Sequence, residues 1–366
     1  MGPRSIVHQV ISTHAHIRPK DIALLEDFGD DWLTVTYEEV ELYSNEVAAA
    51  LLTKLGSSLA DVAISVFLHR SNALIIAVLG ILKSGAAFVP LNVDAPSDMV
   101  AAILKQVRPP AVITDNGWKQ QLEASLPPPT GAHTQSLRNT AVLYIDDLIA
   151  GAPYHAARRP ERSSSRTSHA DASNSAYHQL NRLQLPEIDP EQLAYILFTS
   201  GTTGNPKGVM MHHRGMSNLM HHHLKQRFTP KTKHPDSITG SQAPSLPQTM
   251  ASPSHTSDSL LCSSAKPTSS DFQRQQQQNH APLNRPWQDV CLPTYMVCFD
   301  AFWEVVFPCL MAGSLLNLTT RWGAAHAGPA PPTVIAGTPS VIATLPEEAF
   351  AGVRLAQVAG EQAGSW

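Results

Sequence analysis

This sequence lacks most of the features that would point directly to a function. It has only four cysteines, Cys262, Cys291, Cys298 and Cys309, with no C-x-x-C pair among them. That spacing suits neither a zinc site nor a disulfide framework, so reduced thiols are expected, three of them in the core. Long apolar runs are missing too. The longest, Ala73 to Leu82, is closed by Lys83 and falls far short of the roughly 20 residues a membrane-spanning helix needs; it fits a buried helix. No apolar run follows the charge at Arg4, and Ile6 stands where a myristoylation signal requires Ser or Thr, so neither export nor lipidation is expected. No sign of charge dominates: 26 basic side chains face 30 acidic ones, a formal net charge of -4. Such balance gives no basis for nucleic-acid or membrane-surface binding, and a soluble, cytoplasmic chain is expected. Its 366 residues allow two or three domains, or one large domain carrying insertions.

What is present reads first as a layered fold. Short β-rich runs alternate with helical patterns through the first 150 residues, the signature of an α/β protein with largely parallel sheets flanked by helices. Thr36-Tyr37-Glu38-Glu39 has the form of a capping box, with Val40, Tyr43, Val47 and Leu51 following at helical spacing, so a helix is predicted from about Tyr37. Val62 to Phe67 reads as a buried strand, Asn72 to Leu82 as a buried helix, and Ala86 to Val89 as a strand stopped by Pro90. Ala111 to Thr114 and Ala141 to Ile145 continue the series, and the repeated order predicts one sheet-centred domain.

Two segments interrupt it. Residues 151–186 hold four arginines among Ser, His and Asn and read as a polar loop. In residues 229–284, 11 Ser, 6 Thr, 7 Pro and 7 Gln make 31 of 56 residues, and Phe272 is the only Phe, Tyr or Trp. So little apolar surface cannot offset about 1–2 kcal/mol of ordering entropy per residue, so a disordered, low-complexity insertion is predicted. Strand and helix patterns resume from Val290 to Leu318, at Thr333 to Ala336 and at Leu355 to Ala359. His221, His222 and His223 are consecutive on a predicted helix, about 100° apart, and cannot converge on one metal; an exposed polar face is expected.

The candidate chemistry lies in Leu193 to Val209, a buried-strand pattern running into Thr199-Ser200-Gly201-Thr202-Thr203-Gly204-Asn205-Pro206-Lys207-Gly208. Glycines let backbone approach a ligand, four hydroxyls offer donors, and Lys207 supplies positive charge, the ingredients of a phosphate-binding loop. A Walker loop is excluded because Asn205 and Pro206 separate Gly204 from Lys207. On composition alone an ordinary turn remains open.

The whole string, however, resembles the signature loop of the adenylate-forming (AMP-binding) superfamily, which includes acyl-CoA synthetases, luciferases and the adenylation domains of nonribosomal peptide synthetases. Leu33 to Val40 is similar to the family's L-T-Y-x-E-L segment, and Leu82 to Leu91 to its L-K-A-G-A-A-Y-V-P-L segment, a form typical of peptide synthetases. Phe299-Asp300-Ala301-Phe302-Trp303-Glu304 resembles the F-D-A-S-V-W-E segment, where Asp pairs with the α-ammonium of an amino-acid substrate. Asp300 could equally N-cap a helix, and because this chain is one residue shorter there, either Trp303 or Glu304 could share its face. Val358 to Gln362, containing Gly360 and Glu361, resembles the family's Gly-Glu turn, and Thr338-Pro339-Ser340 its T-P-S helix start.

The resemblance implies ATP-dependent activation of a carboxylic acid, an amino acid, as an acyl adenylate with release of pyrophosphate. Thr199, Ser200, Gly201, Thr202, Thr203, Gly204, Gly360 and Glu361 would contact the nucleotide, Lys207 would be catalytic as a point charge, and Asp300, Ala301 and Trp303 would meet the substrate. ATP and Mg2+ are implied, with no metal ligand named, and a peptidyl carrier domain is an implied partner. The family's N-x-Y-G-P-T-E and Y-x-T-G-D motifs are not found in the sequence, nor is the small C-terminal lid with its lysine. The expectation is therefore an N-terminal portion, residues 1–366, weakly active or inactive. An acyl- or aryl-CoA synthetase fragment and a non-catalytic nucleotide-binding fragment stay open.

Overall fold

Thr36 and Glu39 form the reciprocal cap that their spacing predicts: the Thr36 N–H donates to Glu39 Oε2 at 2.8 Å and the Glu39 N–H to Thr36 Oγ1 at 3.3 Å. The helix they start is one of a regular series in this computed structural model, which describes residues 5–28, 31–126, 140–149, 185–199, 205–228, 288–319, 330–345, 347–350 and 352–358. In chain order the elements are α1 (Val7–Ile17), β1 (Ile22–Phe28), β2 (Asp31–Thr36), α2 (Tyr37–Leu55), β3 (Ala63–Phe67), α3 (Asn72–Lys83), β4 (Ala87–Pro90) and α4 (Ser97–Val107). They continue with β5 (Ala111–Thr114), α5 (Lys119–Ser125), β6 (Ala141–Tyr144), α6 (Ile145–Leu148), β7 (Leu193–Thr199), β8 (Lys207–His212) and α7 (His213–Arg227). The last group is β9 (Val290–Pro293), α8 (Asp300–Met311), β10 (Leu315–Asn317), β11 (Val334–Gly337), α9 (Pro339–Ala343), a 3-10 turn at Glu347–Phe350 and β12 (Leu355–Val358).

The strands form two six-stranded sheets, ordered β12-β11-β9-β10-β1-β2 and β6-β5-β3-β4-β7-β8. Every pairing is parallel except β1 with β2 and β7 with β8. The fold is thus α/β with largely parallel sheets flanked by helices, and the four early strands read from the sequence lie together in one sheet as β3, β4, β5 and β6, whereas β1 and β2 were not foreseen. β1 and β2 leave the early strands and join β9 to β12, because β1 pairs with β10 in the register Leu24↔Leu316. Residues 1–228 and 283–366 make up one compact unit. The polar segment 151–186 lies outside the described residues except at its last two positions, and the low-complexity segment 229–284 lies outside them entirely.

All twelve residues of α3 are buried, which is why its apolar run has no polar face. Ser71 caps it, accepting from the Leu74 N–H at 3.3 Å. Its last residue, Lys83, is buried and tied to α2 and α1 by a polar cluster: Nζ donates to Glu41 at 2.7 Å and to Ser44 and Asn45 at 2.8 Å, while Ser12 donates to Glu41 at 2.6 Å. Charge is tolerated there because each group is hydrogen-bonded.

Three smaller expectations change. Pro90 is the last residue of β4, opposite Val66, rather than its terminator; a proline at a strand end sacrifices no ladder donor. Among the described cysteines, Cys291 and Cys309 are buried and Cys298 only half-buried. His223 is buried instead of lying on an exposed face, since α7 turns it toward α8, whereas His222 is exposed. Among the described residues no helix is long and apolar enough to cross a membrane.

Candidate functional site

β7 and β8 form an antiparallel hairpin whose last matched pair is Thr199↔Lys207, and Thr199 Oγ1 donates to the Lys207 carbonyl at 3.5 Å. The phosphate-loop candidates Thr199 and Lys207 therefore stand opposite each other at the base of the connection. Ser200, Gly201, Thr202, Thr203 and Gly204 lie outside the described residues. Pro206 is held from below, its carbonyl accepting from Gln106 Nε2 of α4 at 3.1 Å. Gly208 has a steric reason to be glycine: a Cβ there would meet Phe198 and Ile196 at 3.1 and 3.2 Å. Lys207 is exposed and makes no ion pair among the described residues, so its charge is available to an anion.

β7 runs parallel to β4, so Thr199 lies at the carboxyl end of that sheet, where open α/β sheets bind ligands. A cleft of about 340 Å3 opens at the same ends, lined by residues that follow β3, β4, β5 and β9, among them His69, Arg70, Asn92, Trp118, Thr294 and Met296. Arg70 crosses between the two sheets, donating to the Pro293 carbonyl at 2.6 Å and the Thr319 carbonyl at 2.9 Å. Burial pushes its pKa down to about 10, which still leaves it cationic at neutral pH.

The third part of the site is the start of α8. Asp300 is the first residue of the helix, not its cap: Phe299 holds the cap position with no side-chain cap, and among the described residues Asp300 Oδ1 accepts only from the adjacent Ala301 N–H at 2.8 Å. Its charge still favours the helix amino terminus. Asp300 is exposed and Ala301 half-buried, whereas Trp303 turns into the core. The Trp303 indole donates to the Val297 carbonyl at 2.8 Å, and its ring stacks on Phe307 at 5.4 Å and meets Phe88 edge-on at 4.8 Å. The indole is thus packed into the core, 1% exposed.

The residue that shares a face with Asp300 is Glu304, one turn on. Its carboxylate lies 3.2 Å from His223 Nε2, and its backbone carbonyl accepts from Arg227 at 2.8 Å. Burial and then the nearby Asp300 raise the Glu304 pKa, while Arg227 opposes them. Burial, then the charges of Asp300 and Glu304, push the phenol of Tyr195 on β7 up to about 12. His223 is held down to about 4, chiefly by burial, and is neutral.

Of the residues singled out in the sequence, Thr199 and Lys207 are brought together, Asp300 and Ala301 begin α8, Trp303 is withdrawn, and Gly360 and Glu361 lie outside the described residues. Sequence reasoning missed Tyr195, His223 and Arg227. Only the helical phase of α7 and α8 could have paired them with Glu304, and that phase depends on where each helix begins.

Comparison with known proteins adds an independent line. A family model described as "AMP-binding enzyme" matches residues 11–244. Tyrocidine synthase 2 of Brevibacillus parabrevis is 33% identical over 219 residues, 60% of this chain but only 5% of that protein. Among solved structures, the N-terminal subdomain of Klebsiella oxytoca NpsA, in complex with 3-hydroxybenzoyl-AMSN, aligns over 98% of this chain and 67% of its own, with a TM-score of 0.59 and 17% identity. The AMPPNP-bound nonribosomal peptide synthetase FmoA3 aligns over 99% of this chain and 29% of its own, with a TM-score of 0.61 and 18% identity. At such identities the structural likeness speaks to the fold alone.

Proposed function

The chain belongs to the AMP-binding enzyme family, and from that premise we propose that it activates an amino acid as an acyl adenylate for a nonribosomal peptide synthetase. In this reaction a carboxylate oxygen attacks the α-phosphorus of ATP, the bond from that phosphorus to the bridging oxygen breaks, and pyrophosphate leaves. Nothing covalent is asked of the protein. It must hold the two reactants in line and stabilise the charge that moves onto the leaving group.

The single observation that supports this reading most is the hairpin base: an exposed Lys207, without an ion pair among the described residues, set opposite Thr199 at the carboxyl end of the sheet that forms one side of the cleft. Antiparallel pairing fixes where the two ends of the loop lie, and Gln106 steadies Pro206. In this reading Lys207 and the hydroxyls of Thr199, Ser200, Thr202 and Thr203 hold the β- and γ-phosphates, with Gly201 and Gly204 allowing close approach. Gly360 and Glu361 would flank the adenine. Asp300 would take the substrate's α-ammonium beside Ala301. A peptidyl carrier domain would receive the product.

Among the described residues no group of three His, Cys, Asp or Glu side chains is placed to hold a metal ion. Magnesium is therefore assigned no protein ligand here; it would enter as the counter-ion of the nucleotide.

The test is titration of the chain with magnesium-ATP while the amide resonances of Thr199 and Lys207 are followed. Both shift, and Lys207→Met weakens binding about ten-fold, or about 1.4 kcal/mol. Unmoved resonances, or an unchanged affinity in Lys207→Met, refute nucleotide binding at the hairpin. Exchange of labelled pyrophosphate into ATP that depends on an added amino acid supports activation. Binding without exchange for any amino, aryl or fatty acid reduces the function to nucleotide binding.

A further inference from the structure

We infer that Cys291 and Cys309 are a modification site: a small-molecule disulfide oxidises them to an intramolecular disulfide that ties α8 to β9 and clamps the segment between them. Nothing in the proposed function uses either thiol, and the inference stands whether or not the hairpin binds a nucleotide.

Strand alternation comes first. Along β9, Val290 and Leu292 pack into separate small clusters, while Cys291 between them joins the main core together with Cys309 of α8. Both cysteines are 0% exposed, and neither is in a disulfide. Cys309 Sγ donates to the Leu315 carbonyl at 3.6 Å, and β10, which begins at that residue, lies beside β9 with Leu316 opposite Cys291. The two sulfurs are thus brought to one point of the sheet, near enough for a hydrogen bond between them. The buried Tyr37 hydroxyl feels both.

Thiol chemistry comes next. The thiolate is the reacting form, and burial, then Cys291, push the Cys309 thiol well above its usual range, so the pair is inert while the core is closed. The turn that carries Cys309 is the weak point of α8. Pro308 has no N–H to give the Glu304 carbonyl one turn back, and Arg227 Nη1 takes that acceptor instead, at 2.8 Å. When that turn opens to water, the Cys309 thiolate attacks one sulfur of the oxidant, forming a mixed disulfide and releasing one small thiolate, which takes up the Cys309 proton. Cys291 then attacks the Cys309 sulfur, and the second small thiol leaves with the Cys291 proton. Two protein S–H bonds and the oxidant's S–S bond are exchanged for one protein S–S bond and two small thiols, so two electrons pass to the oxidant. The new bond closes a loop of about 18 residues that contains Asp300 and Thr294 to Val297, one wall of the cleft.

To test this, the full chain is incubated with glutathione disulfide until thiol loss stops, the remaining thiols are alkylated in denaturant, and the peptides are mapped by mass before and after dithiothreitol. A link between Cys291 and Cys309 that dithiothreitol reverses is expected, and it forms equally in a variant carrying Cys262→Ser and Cys298→Ser. The oxidised chain melts about 5 °C above the reduced one. Cys291→Ala, in which the link cannot form, shows no such rise. Should that variant not fold, the wild-type map and melt decide alone. Alkylation of both Cys291 and Cys309 after oxidation, a glutathione adduct that persists on either, or a link from either to Cys262 or Cys298 overturns the pairing. A link between Cys291 and Cys309 that leaves the melt unchanged overturns the clamp.

Discussion

Gly80 shows how much one missing side chain can decide. A Cβ at this position would lie 2.5 Å from Val47 Cγ1 and 3.0 Å from the Ser44 carbonyl, so α3 approaches α2 as closely as backbone allows. In an exposed helix Gly→Ala gains up to about 1 kcal/mol of propensity. Here the overpacking cost of about 1–3 kcal/mol opposes that gain, and the contact with backbone oxygen leaves little room to yield. Gly80→Ala should therefore lower stability by about 1–2 kcal/mol, measured as a lower urea midpoint with an unchanged slope. The sequence placed Gly80 inside a buried helix correctly but could not show what pressed on it. Residue-scale chemistry at α8 was legible to the same depth. Asp300 was visible as a candidate from its motif, whereas the choice between Trp303 and Glu304 waited on the helix beginning at Asp300 and not one residue later.

Elements were the most legible scale, because their signals are local. The capping box set the start of α2, and an uninterrupted apolar run predicted α3. What joins these helices was less visible: Lys83, Glu41 and Ser12 are far apart in the chain, and nothing in their immediate surroundings announces the pairing. Burial alone would raise the Glu41 pKa, yet Lys83 and the hydrogen bonds from Lys83, Ser12 and Asn45 hold it below the usual carboxylate range. Glu41→Gln leaves a buried ammonium without its counter-charge and is expected to cost about 3–5 kcal/mol. Lys83→Met together with Glu41→Gln should cost less than the sum of the two single changes, and chemical denaturation of the four proteins in a double-mutant cycle measures the difference.

At the scale of the whole molecule, buried histidines set the response to acid. His8 on α1 meets His213 on α7 edge-on, ring centroids 5.9 Å apart, with Lys83 near enough to matter electrostatically. Burial, then His213 and Lys83, hold His8 down to about 3, and burial holds His213 down to about 4. Both are neutral in the folded chain and take up a proton on unfolding below the ordinary histidine range. Each therefore leaves stability untouched above about pH 6.5 and erodes it as pH falls toward the folded values, by up to about 1.4 kcal/mol per pH unit. Melting temperature should be flat above pH 7 and fall between pH 6.5 and 4, and His213→Phe should make that fall shallower. The topology at this scale was the least legible. The parallel α/β class followed from alternation, but alternation carries no record of which distant strand a given strand will choose.

The pairing of Leu24 with Leu316 has a consequence for synthesis. One sheet, from β3 to β8, is drawn from a continuous stretch of chain and can assemble as soon as that stretch leaves the ribosome. The other cannot. At about 5–20 residues per second, β1 and β2 wait roughly 15 to 60 s for β10 to emerge. Throughout that interval the β1 edge that β10 will cover stands bare, which makes this half of the molecule the natural client of a chaperone.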